Sequence, residues 1–252
     1  MLPYSLHGQA TDTPTFVLLH YLGGSRHTWY PTICWLDAHH QCVALDTPGF
    51  GDAHHIEGYD VAAMVAHVDR TIRQLGLSNC ILVGHSMTGK VALALAAEQP
   101  DYLRGLVLVA PSPPGPQPMT DEARQSQIAY RASRKEAEVF VDTAAGERLP
   151  DVLREIAIHD AQRASLNAWR AWPEEGSRED WTSRIGRVDC PALLVAGSED
   201  DQVPSAEEQK PLTLSHLPNG RLEVITNAGH LMPMQTPETL AKLMLTFAAE
   251  RV

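Results

Sequence analysis

The sequence lacks the features that mark membrane, nucleic-acid-binding and secreted proteins. No stretch approaches the run of about 18 apolar residues that a bilayer-spanning helix needs. Lys and Arg number 20 against 31 Asp and Glu, a formal net charge of −11, whereas phosphate backbones and anionic lipids attract clustered positive charge. The first ten residues hold neither the basic segment nor the apolar core of a secretory signal. We therefore expect a cytoplasmic protein that binds neither nucleic acid nor membranes.

Patterns that would hold disulfides, metals or nucleotides are also missing. The histidine pairs His39-His40 and His54-His55 have no carboxylate or cysteine partners at ligand spacing. Gly23-Gly24 follows an apolar run, but neither a G-x-G-x-x-G motif nor a Walker lysine accompanies it. We expect neither a metal nor a cofactor. Four scattered cysteines without C-x-x-C spacing are predicted to be buried free thiols: Cys34, Cys42, Cys80 and Cys190.

Short apolar runs alternate with amphipathic helical patterns along the chain. Its composition, 44% hydrophobic and 20% charged, is typical of globular domains. The alternation predicts an α/β protein whose mostly parallel sheet is covered by helices on both faces. The extreme N-terminus is a candidate for an antiparallel edge strand. The other predicted strands are Thr15–His20, Cys42–Asp46, Cys80–Gly84, Leu106–Ala110, Ala192–Ala196 and Leu222–Ile225.

About eighty residues between the fourth and fifth of these strands contain no convincing strand. This segment opens with a proline-rich turn and then shows helical patterns over Thr120–Ala145, Pro150–Trp172 and Glu179–Ile185. A long helical excursion between consecutive strands of a sheet is typical of a lid over one sheet edge. We therefore predict a core formed by residues 1–112 and 189–252, with residues 113–188 inserted as a helical lid.

One short segment places a serine between a strand and a helix. The apolar run Cys80–Gly84 leads through His85 into Ser86, and an alanine-rich helical pattern follows at once. A serine at such a turn lies above the carboxyl edge of the sheet, where the free amides and the dipole of the helix can stabilise an oxyanion. An ordinary helix-capping serine is the alternative, and the small residues on both sides favour a nucleophile.

The sequence GHSMTG at residues 84–89 resembles the G-x-S-x-G nucleophile elbow of the α/β-hydrolase fold. It departs from that pattern at Thr88, where the second glycine is usual, and the next glycine is Gly89. Since β-branching limits how closely strand and helix approach, we expect neighbouring positions to have adjusted. The resemblance spans nearly the whole chain. It implies an α/β-hydrolase fold with a mostly parallel central sheet, flanking helices and a small helical lid.

The chain order of serine, acid and histidine in that family implies a catalytic triad completed after later strands. The turn after Ala192–Ala196 is similar to the family's acid turn and implies Asp200 as the acid. Glu199 and Asp201 are adjacent rivals. The AGH sequence that ends at His230 resembles the family's catalytic-histidine loop, and a proline-glutamate helix start follows it as in the family. The resemblance therefore implies His230 as the general base for Ser86.

The sequence HYLGGS at residues 20–25 is similar to the family's H-G-x-x-G-S turn, with Tyr21 where glycine is usual. The resemblance implies that the backbone N–H groups of Leu22 and Met87 form an oxyanion hole, because a backbone amide can donate whatever its side chain. The sequence DTPGFGD at residues 46–52 resembles a structural turn of the same family.

Four side chains are candidates for lining the substrate pocket: Tyr21, His85, Trp169 and Trp172. The ring of Tyr21 must either pack beside the nucleophile turn or line the pocket floor. Trp169 and Trp172 lie three residues apart on one predicted helix face, which also fits packing of the lid on the core.

The resemblance implies a cofactor-free hydrolase that cleaves carboxylic esters of small molecules through an acyl-enzyme on Ser86. A cofactor-free haloperoxidase or perhydrolase, or a carbon–carbon bond hydrolase, would use the same triad. A ligand-binding protein with a hydrolase fold is the alternative from another class, although a pure binder has no use for three catalytic residues. Relatives that cleave haloalkanes or epoxides carry aspartate in place of Ser86. We expect a monomer or a homodimer.

Overall fold

Seven strands form one sheet in the computed structural model, which describes residues 1–146 and 149–251. They are β1 (Tyr4–His7), β2 (Thr15–Leu19), β3 (Cys42–Leu45), β4 (Cys80–His85), β5 (Leu103–Val109), β6 (Ala192–Gly197) and β7 (Gly220–Ile225). Their order is β1-β3-β2-β4-β5-β6-β7, with β1 antiparallel to β3 and all other neighbours parallel. The predicted mostly parallel sheet is confirmed.

The strand bounds differ from the prediction at several ends. Strand β5 begins at Leu103 rather than Leu106 because a local irregularity of register lets Leu103 pair with Cys80. Strand β2 ends at Leu19, one residue before its predicted end, and His20 belongs to the following turn. Strands β2, β3, β4 and β6 are buried along their whole length, as strands covered on both faces should be.

Eleven α-helices accompany the strands in the described residues. They are α1 (Tyr30–Leu36), α2 (Val61–Gln74), α3 (Met87–Ala97), α4 (Asp121–Ala129), α5 (Arg134–Ala145), α6 (Asp151–Arg163), α7 (Leu166–Glu174), α8 (Thr182–Ile185), α9 (Ala206–Leu212), α10 (Met232–Gln235) and α11 (Pro237–Arg251). Each of these helices is too short or too polar to cross a bilayer.

Helices cover both faces of the sheet because successive strand residues point to opposite sides. Val17 and Leu19 of β2 join the apolar cluster that also contains residues of α2 and α3. Phe16 and Leu18 join the cluster that contains residues of α1 and α11. The sheet is therefore the middle of three layers, and its carboxyl edge is left to the loops.

The segment predicted as a lid, residues 113–188, contains helices α4 to α8, and its residues 147 and 148 lie outside the described part of the chain. Its first predicted helix is two helices, because Ala132 has a positive φ of 61° and Ser133 is the N-cap residue of α5. A capping box between Ser133 and Glu136 fixes that start. The second predicted helix, Pro150–Trp172, is also two helices, since the Ser165 side chain caps the first turn of α7.

The inserted helices lie directly on the core because two glycines leave room for them. A Cβ added to Gly49, in the loop after β3, would overlap the Cβ of Ala168 on α7. A Cβ added to Gly23, after β2, would lie 2.5 Å from the ring of Trp169. Gly49 also accepts a hydrogen bond of 2.8 Å from the backbone N–H of Ser165. Helix α7 therefore packs on the core at backbone distance.

Polar contacts join α6 to the same core loops. Asp160 of α6 is buried, and its carboxylate accepts a 2.5 Å hydrogen bond from the Ser25 hydroxyl. His27 Nδ1 lies 3.5 Å from the other carboxylate oxygen, and the proximity of Asp160 raises the pKa of His27. Arg163 pairs with Asp52 at 2.5 Å on the surface. The inserted helices are thus held by a buried charge as well as by apolar packing.

Lys90 connects both ends of the insertion to the core. This buried side chain of α3 donates to three backbone carbonyls, those of Gly115 at 3.0 Å, Gly176 at 3.3 Å and Glu179 at 3.0 Å. Burial lowers its pKa to about 8, against the opposing influence of the carboxylates of Glu179 and Asp180. One ammonium group therefore satisfies backbone acceptors from the beginning and the end of the inserted segment.

Replacing Lys90 by methionine should destabilise the protein, because three carbonyls lose their donor while the aliphatic chain is retained. We expect a loss of about 1–3 kcal/mol in the free energy of unfolding, measured by urea denaturation near pH 7. The exposed Lys242, which pairs with Glu238 on α11, gives a matched control. Lys242→Met should change the free energy by less than about 1 kcal/mol.

The stability difference between wild type and Lys90→Met should also depend on pH. The folded-state pKa of about 8 lies below the value of about 10.4 in unfolded chains, so the unfolded protein binds more protons between these values. The stability of the wild type should therefore rise relative to Lys90→Met as the pH increases from about 8 to about 10. A difference that shrinks over this interval would contradict the burial of the ammonium group.

Candidate active site

Four loops that follow parallel strands meet at the carboxyl edge of the sheet. Ser86 follows β4, Asp200 follows β6, His230 follows β7 and Leu22 follows β2. Parallel neighbouring strands end at the same edge, so residues far apart in the chain come together there. The three residues predicted to form the triad are in direct contact at this place.

The backbone at Ser86 is held in an unusual conformation. Its φ of 59° and ψ of −120° are disfavoured for a residue with a side chain. The Ser86 N–H donates to Val109 O at 3.0 Å, and its carbonyl accepts from the N–H groups of Gly89 at 2.8 Å and Ser112 at 3.0 Å. These bonds fix the sharp turn between β4 and α3 and present the hydroxyl at the sheet edge.

Thr88 fits inside this turn because its hydroxyl is fully used. The buried Oγ1 accepts from the His85 N–H at 3.0 Å and lies 3.1 Å from the carbonyl oxygen of Leu19. Close approach of strand and helix is provided by Gly84 instead, since a Cβ there would overlap the Thr88 carbonyl. Gly89 allows Pro111 to approach the helix, since an added Cβ would lie 2.6 Å from the Pro111 ring. Neighbouring glycines thus accommodate the threonine.

A line of hydrogen bonds joins the serine, histidine and aspartate. His230 Nε2 lies 2.7 Å from Ser86 Oγ, and His230 Nδ1 lies 2.8 Å from Asp200 Oδ2. The second carboxylate oxygen of Asp200 accepts from the Gln202 N–H at 2.9 Å. The Asp200 side chain is only 3% exposed. In this arrangement the Nδ1–H of the imidazole points at Asp200. Its Nε2 is then free to accept the proton of Ser86.

The two acids beside Asp200 point elsewhere. Glu199 is exposed and accepts from the hydroxyl of Ser198 at 2.9 Å. Asp201 is exposed and accepts from the side-chain amide of Gln202. Of the three adjacent acids, Asp200 is therefore the one in contact with the histidine.

His85 is buried beneath the histidine loop rather than placed along the pocket wall. Its Nε2 lies 2.8 Å from the His230 carbonyl, so Nε2 carries the proton, because a carbonyl can only accept. Burial, and next the charge of His230, lower the pKa of His85 well below its ordinary value. From the inserted segment, Ala144 O accepts from the His230 N–H at 3.0 Å. A core histidine and the end of α5 together fix the backbone of His230.

The predicted oxyanion hole has free donors at its two positions. In the described chain, neither the Leu22 N–H nor the Met87 N–H donates to a carbonyl. Met87 begins α3, so its amide also carries the positive end of the helix dipole. His20 helps to fix the turn after β2 that contains Leu22. Its Nδ1 donates to Tyr21 O at 2.7 Å, and its Nε2 accepts from the Thr47 N–H at 3.1 Å. Burial lowers the pKa of His20.

Ser86 lines one cavity, which shares lining residues with a second, larger one. The inner cavity has a volume of about 30 Å³, and Tyr21 and Trp172 are among its lining residues together with Ser86 and His230. The outer groove, about 730 Å³, lies between α4 and α5, and Trp169 lines it. Three residues line both spaces: Gln127, Phe140 and Gln202. The two spaces are therefore neighbours.

Several residues of this site have no sequence motif. Gln117 and Gln127 are isolated glutamines of the inserted segment, and Phe140 is an isolated aromatic residue in α5. Gln202 lies inside the predicted acid turn. Of these residues, it alone could have been identified as part of the site from the sequence, because it lies two positions after Asp200. Within residues 1–146 and 149–251, no three His, Cys, Asp or Glu side chains are grouped so that they could hold a metal ion.

Comparison with known proteins identifies relatives of this chain. The model of the alpha/beta hydrolase family matches residues 16–243. A putative carbamate hydrolase, RutD, from Variovorax paradoxus (strain S110) is 30% identical over 242 residues, which cover 87% of this chain and 88% of the relative. The sn-1-specific diacylglycerol lipase ABHD11 of Mus musculus is 25% identical, over 98% of this chain and 85% of the relative.

Solved structures share the fold. The bromoperoxidase from Bacillus anthracis superposes with a TM-score of 0.88 and 22% identity, over 98% of this chain and 95% of that one. An esterase from Exiguobacterium antarcticum gives a TM-score of 0.86 with 19% identity and the same coverage. At these identities the likeness concerns the architecture alone, and a site must be argued from its own residues.

The rate at which an organophosphorus fluoride labels Ser86 tests the contact between His230 and Asp200. Wild type should form the Ser86 adduct, detected by mass spectrometry of the intact protein and its peptides. Asp200→Asn should slow labelling about a thousandfold or more, because the amide cannot hold the same imidazole tautomer. Asp201→Asn is the matched control and should label at nearly the wild-type rate. Slow labelling of Asp201→Asn with fast labelling of Asp200→Asn would move the acid by one residue.

Proposed function

The chain belongs to the alpha/beta hydrolase family, and from this premise we propose that it hydrolyses carboxylic esters of small molecules through an acyl-enzyme on Ser86. The hydrogen-bonded line from Ser86 through His230 to Asp200 carries this proposal. These three side chains have the arrangement that acyl transfer by a serine requires.

In the proposed acylation step, His230 Nε2 takes the Ser86 proton while Oγ attacks the ester carbonyl. The distance of 2.7 Å between these atoms suits direct proton transfer. Asp200 stays ionised and stabilises the imidazolium that forms. The N–H groups of Leu22 and Met87 would receive the negative charge of the tetrahedral oxygen.

The same residues would complete the cycle. The tetrahedral intermediate collapses when His230 gives its proton to the leaving alcohol and the carbon–oxygen bond breaks. Water then enters, His230 takes one of its protons, and the resulting hydroxide equivalent attacks the acyl-enzyme. Collapse of the second intermediate returns the proton to Ser86 Oγ and releases the carboxylic acid. No step needs a group beyond the chain and water.

The surroundings of the site favour an uncharged substrate. The outer groove has Tyr130, Val139 and Trp169 among its lining residues, and its two charged residues, Lys135 and Glu136, have opposite signs. The net charge of −11 provides no general attraction for anions. We therefore propose uncharged esters with one part in the groove and their carbonyl at Ser86.

Carbamate cleavage is the second candidate. It is favoured by the relative at 30% identity that is named a putative carbamate hydrolase, and it requires the same attack by serine on a carbonyl carbon. Perhydrolysis and carbon–carbon bond hydrolysis also use this triad. They differ from ester hydrolysis in the second reactant or in the bond that breaks.

Release of nitrophenol from p-nitrophenyl acetate and butyrate tests the proposed function. Ser86→Ala should lose about a thousandfold or more of the wild-type kcat/KM, because the nucleophile is removed. Ser78→Ala, at an exposed position, should retain wild-type activity. Equal product release by wild type and Ser86→Ala would contradict the nucleophile assignment and favour a ligand-binding protein.

A further inference from the structure

Three residues around the inner cavity carry buried polar atoms without a protein partner. In the described chain these atoms are Tyr21 Oη, Gln117 Oε1 and Gln127 Oε1, and all three residues line the small cavity beside Ser86. Buried polar atoms in folded proteins nearly always have hydrogen-bond partners, so a group of three around one cavity needs a physical reason. A bound substrate that supplies the missing partners is such a reason.

The orientation of the Gln117 amide is fixed by its neighbours. Its Nε2 lies 3.0 Å from the Gln202 carbonyl, which can only accept, so the nitrogen must face Gln202 and Oε1 must be the unpaired atom. The Gln117 N–H donates to Ser177 O at 2.7 Å, and Arg124 in turn donates to the Ser177 hydroxyl at 2.7 Å. The side chain is 7% exposed. Gln117 therefore lines the cavity and carries an unpaired hydrogen-bond acceptor of fixed orientation.

The second acceptor comes from α4 on the lid. The backbone carbonyl of Gln127 accepts from the Trp169 indole N–H at 3.1 Å, which ties this part of α4 to α7. Tyr21 contributes a hydroxyl, whose pKa burial raises, and its ring stacks on Phe140 with centroids 6.4 Å apart. The cavity thus offers two amide oxygens, which only accept, and one hydroxyl.

The size of the cavity limits what can satisfy these atoms. Its volume of about 30 Å³ admits a water molecule or a small polar group of a substrate, such as an amino or hydroxyl group. A methyl group of the same size would leave both amide oxygens unpaired in a buried place. Sites built around a substrate hydrogen bond reject analogues that lack it for this reason.

We propose that Gln117 and Gln127 select substrates whose acyl part carries an O–H or N–H donor next to the scissile carbonyl, such as 2-hydroxy esters and carbamates with a free amino group. This inference rests on the proposed function, since it assumes that the carbonyl is attacked by Ser86. The two glutamines would then determine specificity. Plain alkanoate esters lack a donor for their amide oxygens and would not gain from this contact.

Two pairs of isosteric phenyl esters test the selection. Phenyl glycolate and phenyl propionate differ by O–H against CH₃, and phenyl carbamate and phenyl acetate differ by NH₂ against CH₃. For each pair, the ratio of kcat/KM for the donor-bearing ester to that for its isostere is measured from phenol release. Comparing this ratio between enzymes cancels the intrinsic reactivity of the esters and any loss of folded protein, because both esters are assayed on one sample.

Gln117→Met and Gln127→Met should each lower the ratio for at least one pair about tenfold, the loss of roughly one hydrogen bond. Gln127→Met is the cleaner variant, since in the described chain the Gln127 side chain forms no hydrogen bond to the acid loop. Gln125→Met, at an exposed position on the same helix, is the matched control and should keep the wild-type ratio. A response of the carbamate pair alone identifies N–H as the donor, and a response of the glycolate pair alone identifies O–H.

The inference is overturned if both glutamine variants keep the wild-type ratios for both pairs within about twofold, or if Gln125→Met changes them as much. In that case the amide oxygens are satisfied by water. Ser86→Ala separates this failure from a failure of the proposed function. If hydrolysis depends on Ser86 but shows no preference for donor-bearing esters, only the proposed role of the glutamines is contradicted. Absence of Ser86-dependent hydrolysis for all four esters removes both.

Discussion

The contact between Ser86 Oγ and His230 Nε2, 2.7 Å long, joins two residues 144 positions apart in the chain. It exists because β4 and β7 are parallel strands of one sheet and end at the same edge. The strained backbone of Ser86 is sustained by bonds to Val109, Gly89 and Ser112, so the position of this candidate nucleophile depends on β5 and its turn as well. Strands β4 to β7 therefore act together to hold this pair of atoms in place.

The inserted helices serve the same geometry. The end of α5 binds the His230 backbone through Ala144, and Gln117 binds the carbonyl of Gln202, whose N–H holds Asp200. The insertion is itself fixed to the core by Lys90 and by the buried carboxylate of Asp160. The residues of the inserted segment that close the site therefore also position the candidate acid and base.

The fold was predictable where local pattern and tertiary environment agree. Short continuous apolar runs such as Ala192–Gly197 are typical of strands covered on both faces, and the predicted fold class is confirmed. The inserted helices were predicted less well. Helices α4 and α5 appear continuous in hydrophobic pattern, although the capping box of Ser133 and Glu136 was a readable signal for the break. The start of β5 at Leu103 depends on pairing with Cys80, which no local pattern contains.

The sequence by itself determined which residues could form a nucleophile, an acid and a base, because short motifs beside buried strands require particular residue types at fixed spacing. Only the tertiary structure distinguished Asp200 from Glu199 and Asp201, since three adjacent acids differ in where a folded loop points them. It also decided that His85 lies under the histidine loop and that Gln117 faces the cavity. Such long-range contacts arise from packing between segments, which local sequence spacing does not encode.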